Sequence, residues 1–422
     1  MGHLTSNLRR VLKDFFKNYG LSFIMVASYF GSGSIFIASQ AGVEYGYLLI
    51  WAVLGAVLLG FMAQDMSARL GIFGDTLMGF IRRRLGKSLA LTIALFLSIG
   101  CVAWALALTA AVGKSVEILT GELIPWQPLA VVTGILAIAV GLLNYGKVEK
   151  VITAMMFLLL VLYVVVAGAA QPDLVQVAAG FVPSIPDVGA IVLGAAILGT
   201  TALWPNFFLE SILVRRKGWT DGTHLRPMRI DLTIGYAVGG IITLAIIIVA
   251  AAVLRPAGYT ELSSFIAPGE ALATVLGQWA MVVFLVGVAC AAFNSIIPIM
   301  WTVPYMILEA LDIDHRKGSS RPFRLLFAGG IVLGMFSPLV AHVTGLSVVQ
   351  MVTLFPAFNG VFGLPVTAAL LFWAVNDRKV MGEHTNTWRL NAVNVTLVLF
   401  SLYIAINSGR GVMGQIFGGM FN

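Results

Sequence analysis

Few residues in this chain have side chains that do chemistry, and many of them fall in two short intervals that interrupt long apolar runs. The first is Ser28-Tyr29-Phe30-Gly31-Ser32-Gly33-Ser34-Ile35-Phe36, where two glycines alternate with serines. A helix in lipid satisfies its own backbone, so Gly31, Ser32, Gly33 and Ser34 at membrane depth imply unwound chain lining a polar cavity. A Gly-Ser-Gly stretch that opens a half-helix presents free N–H groups at the positive end of a helix dipole, which suits an anion or carboxylate. The second interval is Gly199-Thr200-Thr201-Ala202-Leu203-Trp204-Pro205-Asn206, where proline removes a backbone donor and crowds the preceding turn. Thr200, Thr201, Leu203, Trp204 and Asn206 are its candidate solute-binding positions. Two broken helices in corresponding halves of a chain point to a transport site near the bilayer midplane. The bland alternative is close helix packing at Gly31 and Gly33 and a plain kink at Pro205.

Other polar residues within the apolar runs have two readings each. Glu210, one turn beyond Asn206, is the acid best placed to face a pathway, as a coupling or proton-carrying group, or else a partner for Arg215 or Arg216. Asn294 and Ser295 either complete a sodium site with the carbonyls of the first break or glue helices together. Gln350, Thr353 and Asn359 are further pathway candidates, and Asp65 reads as a helix-surface partner of Arg69 at i+4. The two cysteines, Cys101 and Cys290, each sit inside an apolar run as small core residues. No His/Cys ligand cluster and no phosphate-loop lysine is present, so no enzyme reading survives. No cofactor is implied, and coupling falls to H⁺ or Na⁺.

The elements that must position these residues are membrane helices. Of 422 residues 59% are hydrophobic and 11% charged, too little polar surface to cover a soluble fold. At about twenty residues per span, the chain divides into about eleven helices, near 19–44, 47–70, 88–112, 125–144, 148–169, 188–213, 233–254, 270–311, 323–341, 345–375 and 388–408. Asp75 to Lys87, which mixes apolar residues with Arg82, Arg83 and Arg84, has the pattern of a helix lying in the interface. The +7 net charge is scattered in short clusters between the runs, which excludes a nucleic-acid surface and fits the positive-inside rule. With the N-terminus cytoplasmic, Arg9, Arg10, Lys13, Lys17, Arg316 and Lys317 fall inside with most other basic residues. Only Lys114, Arg255 and Arg410 are left outside, together with the C-terminus.

The expected fold is therefore an all-α integral membrane transporter domain over 1–422. Repeat one covers about 19–169 and repeat two about 188–375, and an extra helix lies near 388–408. This is a LeuT-type 5+5 inverted repeat, with helices one and six broken and alternating access around the break. Its partners are a small solute and the lipid bilayer, with no nucleic acid and no obligatory protein partner.

The chain resembles the Nramp family of proton-coupled divalent metal transporters. The resemblance rests on Gln40-Ala41-Gly42-Val43-Glu44-Tyr45-Gly46-Tyr47, Ala68-Arg69-Leu70-Gly71-Ile72, Arg82-Arg83-Arg84-Leu85-Gly86 and Asp377-Arg378-Lys379-Val380-Met381-Gly382. It implies a bacterial inner membrane and a metal site in which the family's first break reads Asp-Pro-Gly-Asn. Here those positions are Gly31-Ser32-Gly33-Ser34. The sixth-helix break of the family offers an alanine carbonyl and a methionine sulfur before proline and histidine. This chain has Thr200, Leu203, Trp204 and Pro205 there, with Glu210 in place of a second histidine. Without those side-chain ligands, a small anionic or zwitterionic solute is the leading expectation, a reading helped by similarity to the Gly-Ser-Gly stretch of amino acid/polyamine/organocation transporters. The alternatives are a divalent metal importer (Mg, Mn or Fe) with non-standard ligands, and a non-transporting sensor on the same scaffold.

Overall fold

Helix covers most of each apolar stretch read from the sequence, and the polar interruptions become its bends. The computed structural model describes residues 19–418 except 261, 263–266 and 314–319, and no side chains at 188, 271, 353, 356–360, 404 and 407–418. Arg9, Arg10, Lys13, Lys17, Asp314, Arg316 and Lys317 thus lie outside the described residues, as do the side chains of Thr353, Asn359 and Arg410.

The first stretch is two helices, α1 (Leu21–Tyr29) and α2 (Ser32–Tyr45), meeting at 64°. After them come α3 (Ile50–Phe73), α4 (Leu77–Leu119), α5 (Trp126–Gly141), α6 (Tyr145–Ala169) and a short α7 (Leu174–Ala179). The second half opens with another broken pair, α8 (Val188–Thr201) and α9 (Trp204–Arg216), followed by α10 (Leu225–Val249), which runs on through a π turn at Ala250–Leu254. Then follow α11 (Ala267–Leu276), α12 (Gln278–Leu311), α13 (Arg321–Gly334), α14 (Ser337–Thr344), α15 (Val348–Asn376), α16 (Arg378–Met381) and α17 (Trp388–Gly418). Among the described residues seven helices are long and apolar enough to cross a membrane, or eight with the bent α1–α2 pair taken as one span. Trp126–Gly141 and Val361–Asn376 are shorter apolar helices.

One stretch differs from the sequence reading. The run 270–311 is split at Gly277, whose φ of 94° takes the chain out of helix between α11 and α12. The Leu77–Leu85 segment packs one face on the protein. Gly86 (φ 83°) bends it away from the rest of α4, and Leu77, Met78, Phe80 and Ile81 are buried in the protein. Its arginines are neutralised by the protein's own acids, Arg82 by Asp312 at 2.7 Å, Arg83 by Asp75 at 2.6 Å and Arg84 by Asp377.

The Asp65–Arg69 pair forms at 2.9 Å, but both side chains are buried rather than on a helix surface. Arg229 adds a second contact to Asp65 at 2.7 Å, and Asn386 accepts from Arg69 at 2.6 Å. A buried ion pair needs such extra hydrogen bonds, because the two charges alone do not recover their desolvation cost.

Candidate functional site: the two helix breaks

Helix α1 ends when Phe30 N–H donates to Val26 O (2.9 Å) and Gly31 turns extended, with φ −111° and ψ −171°. Any residue can adopt that backbone, so glycine here is a matter of space. A Cβ on Gly31 would sit 3.2 Å from both Leu108 Cδ2 and Ser295 Oγ. The gap is closed by Ser34, whose hydroxyl donates back across the break to Tyr29 O at 2.6 Å. In the second break Ala202 and Leu203 leave the helix, and Pro205 falls in the first turn of α9, where no intrahelical N–H is required.

Asn206 ties the two breaks together. Its Nδ2 donates to Met25 O on α1 at 2.9 Å, and its Oδ1 accepts from Ser28 Oγ, which also reaches Met25 O at 2.7 Å. Ser295 on α12 joins the same junction, donating to Ala27 O at 2.6 Å and to Ala291 O at 3.0 Å. Ser28, Gly31, Ser32, Ser34, Asn206 and Ser295 are all buried, so the junction is closed over, while Gly33 keeps partial exposure.

Not every sequence candidate belongs to this junction. Thr200 and Thr201 both return their hydroxyl hydrogens to Ile197 O at 2.9 Å, within their own helix. Leu203 contributes its backbone, accepting from Asn206 N at 3.1 Å. Trp204 is a packed wall, 6.1 Å from the Trp104 ring and edge-on to Phe208 at 6.2 Å. Asn294 faces away from the break, its amide donating to Ile152 O at 3.4 Å, so it does not join Ser295 in one ligand set. Gln350 is exposed and closes a capping box with Ser347 at the start of α15, an end role rather than a pathway role.

Glu210 is fully buried, and neither carboxylate oxygen has a hydrogen-bond partner among the described residues. The arginine pairing considered for it does not occur. Arg215 donates to Gly71 O and Gly74 O at 3.1 Å, and Arg216 to Tyr305 OH at 2.7 Å. Sequence reading set Ser28 in the first interval without naming it as a binding residue, and it did not single out Asp231, which fell just before the stretch read as 233–254. Among the described residues no group of three His, Cys, Asp or Glu side chains is placed to hold a metal ion.

What the junction offers is decided by where its hydrogens go. Ser28, Ser34 and Ser295 all direct their O–H toward carbonyl or amide oxygens, so their hydroxyls are left to act as acceptors. The carbonyl end of α1 adds the negative end of a helix dipole. Helix α2 begins with no side-chain cap, so its first N–H groups meet the same space.

The family model described as natural resistance-associated macrophage protein-like, Nramp, matches residues 22–409. The chain belongs to the Nramp family. Nramp proteins are integral membrane transporters, and this one is similar to proteins named divalent metal cation transporter MntH. It is 29% identical to that of Deinococcus radiodurans over 287 residues, a match spanning only 65% of each chain. It is 26% identical to that of Chromohalobacter salexigens, over 92% of this chain and 89% of the relative. The Pectobacterium carotovorum protein is 25% identical, with 93% and 95% covered. Among solved structures, the manganese transporter of Eremococcus coleocola superposes with a TM-score of 0.80 at 19% identity, covering 97% of this chain and 89% of that one. MhsT in complex with L-phenylalanine gives 0.57 at 12% identity, with 93% and 98% covered. At such identities the superpositions speak for a shared fold alone, and that fold is the LeuT-like one expected for this Nramp chain.

Proposed function

We propose that this Nramp protein carries a divalent cation across a bacterial inner membrane by alternating access around the Gly31–Ser34 break, holding the ion through oxygen atoms alone. One observation carries the reading: the serine hydroxyls of the junction have their hydrogens engaged, so these side chains can serve a cation as acceptors, while an anion is left with only the backbone N–H groups at the start of α2. This sets aside the preference for an anionic or zwitterionic solute, which rested on the free backbone N–H groups that open α2. The names of relatives aligned along most of the chain favour the same side.

With no sulfur or imidazole ligand at the family's ligand positions, the site favours hard ions that keep part of their water, such as Mg²⁺ or Mn²⁺, over soft ones such as Cd²⁺. The proposed architecture is the five-plus-five repeat with the N-terminus cytoplasmic and the C-terminus outside. H⁺ or Na⁺ is the coupling ion.

Calorimetry and uptake into liposomes test the substrate with Mg²⁺, Mn²⁺ and Cd²⁺ set against amino acids and simple carboxylates. Uptake of Mg²⁺ and Mn²⁺ with no advantage for Cd²⁺ is expected. Transport of an amino acid or carboxylate by protein that binds no divalent ion would overturn the proposal.

A further inference from the structure

Below the break, the face of α9 that meets α1 continues with charged groups that the transport site does not use. Asn206, Glu210 and Lys217 fall within an arc of about 40° on that helix at about 100° per residue. The upper member, Asn206, is bonded to α1. The lower member, Lys217, lies 3.8 Å from Glu149 Oε1 on α6 and 4.7 Å above the Trp219 ring.

At that same corner Asp231 on α10 accepts from the N–H of Gly20 (2.6 Å) and of Ser22 (2.8 Å), capping the start of α1. Gly20 has a φ of 154°, and the Glu149 carboxylate fills the space where a Cβ would go. The beginning of α1 is thus held by α6, α9 and α10 together. Glu210 lies within electrostatic reach of both Asp231 and Lys217.

Three carboxylates are buried in this corner: Glu149 against Lys217, Asp231 on the N–H groups of Gly20 and Ser22, and Glu210 about two turns up α9. Both Glu210 oxygens, Glu149 Oε1 and Lys217 Nζ have no hydrogen-bond partner among the described residues. Lys217, which the described residues set against Glu149, is held by charge and ring contact at a distance longer than a hydrogen bond.

We propose that Glu210 is a second cation station on the way from the break, and that Lys217 is a tethered gate cation which the travelling ion displaces. An ion at Glu210 sits two helical turns above Lys217, roughly 10 Å away along α9. In a seam with little water, like charges at that range repel appreciably. Departure of Lys217 leaves Glu149 without its cation, and its repulsion on Asp231, which holds the Gly20 and Ser22 N–H groups, loosens the start of α1 and opens the passage beneath the break. This inference rests on the divalent-cation reading, but the gate can be tested without it.

The test uses full-length protein with Cys101→Ala, Cys290→Ala and Met25→Cys, in inside-out vesicles. It follows reaction of the introduced thiol with a membrane-impermeant reagent, with and without Mn²⁺ or Mg²⁺. Either ion is expected to raise labelling by about tenfold, the size of shift that makes a minor conformer dominant. Glu210→Gln should abolish that response while calorimetric ion binding at the break persists. Lys217→Met should label fast with or without ion, and Lys217→Arg should restore dependence on it. A full ion response in Glu210→Gln, or slow labelling in Lys217→Met that still binds ion, overturns the inference. If the parent binds neither ion, the substrate proposal fails, and the Lys217→Met and Lys217→Arg pair alone decides the gate.

Discussion

Putting a carboxylate back into the break asks what the site holds, because the sign of the answer differs between cation and anion. In Gly31→Asp the backbone at φ −111° needs no adjustment, and the new Cβ meets Leu108 Cδ2 and Ser295 Oγ at 3.2 Å. Two contacts that tight ask a flexible leucine tip and a hydroxyl to yield by a few tenths of an ångström, so the variant should fold. With an effective dielectric near 20, a carboxylate about 4 Å from a divalent ion gains roughly 8 kcal/mol gross. Desolvating the new charge takes back several kcal/mol. A net gain of about 2–3 kcal/mol corresponds to roughly 30–150-fold tighter binding. Calorimetry with Mn²⁺ and Mg²⁺ reads it, with Gly31→Asn as the control of similar size and no charge. Tighter binding in the Asp variant and little change in the Asn variant is expected. Weaker cation binding in Gly31→Asp but not in Gly31→Asn would refute the reasoning, since a carboxylate beside a bound cation must attract it.

Three other variants probe the frame around the site. In Asn206→Ala both breaks lose their tie and Met25 O and Ser28 lose a partner, so a thermal melt should show a loss of about 1–3 kcal/mol and uptake should drop; Ser28→Ala, which spares the Asn206–Met25 bond, should cost less. Gly42→Ala would improve helix propensity, yet its Cβ would come within 2.5 Å of Ile247 O and 2.6 Å of Ala250 Cβ, backbone and packed atoms that cannot swing aside. Overpacking of roughly 1–3 kcal/mol should therefore outweigh the propensity gain and lower the Tm. At the start of α8, the hydrogen bond from Tyr45 OH to Asp187 (2.7 Å), and then that from Ala190 N, hold the Asp187 carboxyl below the usual carboxylate range. A depressed acid stabilises the fold above its unfolded titration range and loses that contribution as pH falls through its folded value. Tyr45→Phe should move the acid limb of a stability-versus-pH curve to higher pH, and an unmoved limb would show that the exposed contact contributes nothing.

The breaks themselves were legible because glycine, serine and proline have no reason to interrupt an apolar run unless the backbone leaves the helix there. The structure places a 64° bend at Phe30–Gly31 and a helix interruption at Ala202–Leu203, inside the two intervals read from sequence. What the intervals would bind was less legible, because a serine can donate or accept. The hydroxyl of Ser34 is directed by a carbonyl five residues back, and that of Ser28 by an amide 178 residues away, neither of which a local pattern can supply. The packing of the Leu77–Leu85 helix was hard to read for a similar reason. Its arginines match a headgroup-facing helix in sequence, but their partners Asp312 and Asp377 are distant along the chain. Asp231 was lost because the apolar stretch was begun two residues too late to include it.

Helix α1 joins the two halves of the proposal. Its nine residues form a stiff rod of roughly 13 Å, with the carbonyls of Met25, Ala27 and Tyr29 in the junction at one end and the Gly20 and Ser22 N–H groups on Asp231 at the other. A rod cannot release one end and hold the other in place. Freeing Gly20 from Asp231 tilts α1 and draws its carbonyls away from Asn206, Ser295 and Ser34, which stay with other helices. The ion then loses oxygen ligands in the same movement that opens its way out. A carrier needs that coupling, because a site that kept its full ligand set after opening would hold the ion too tightly to let it go.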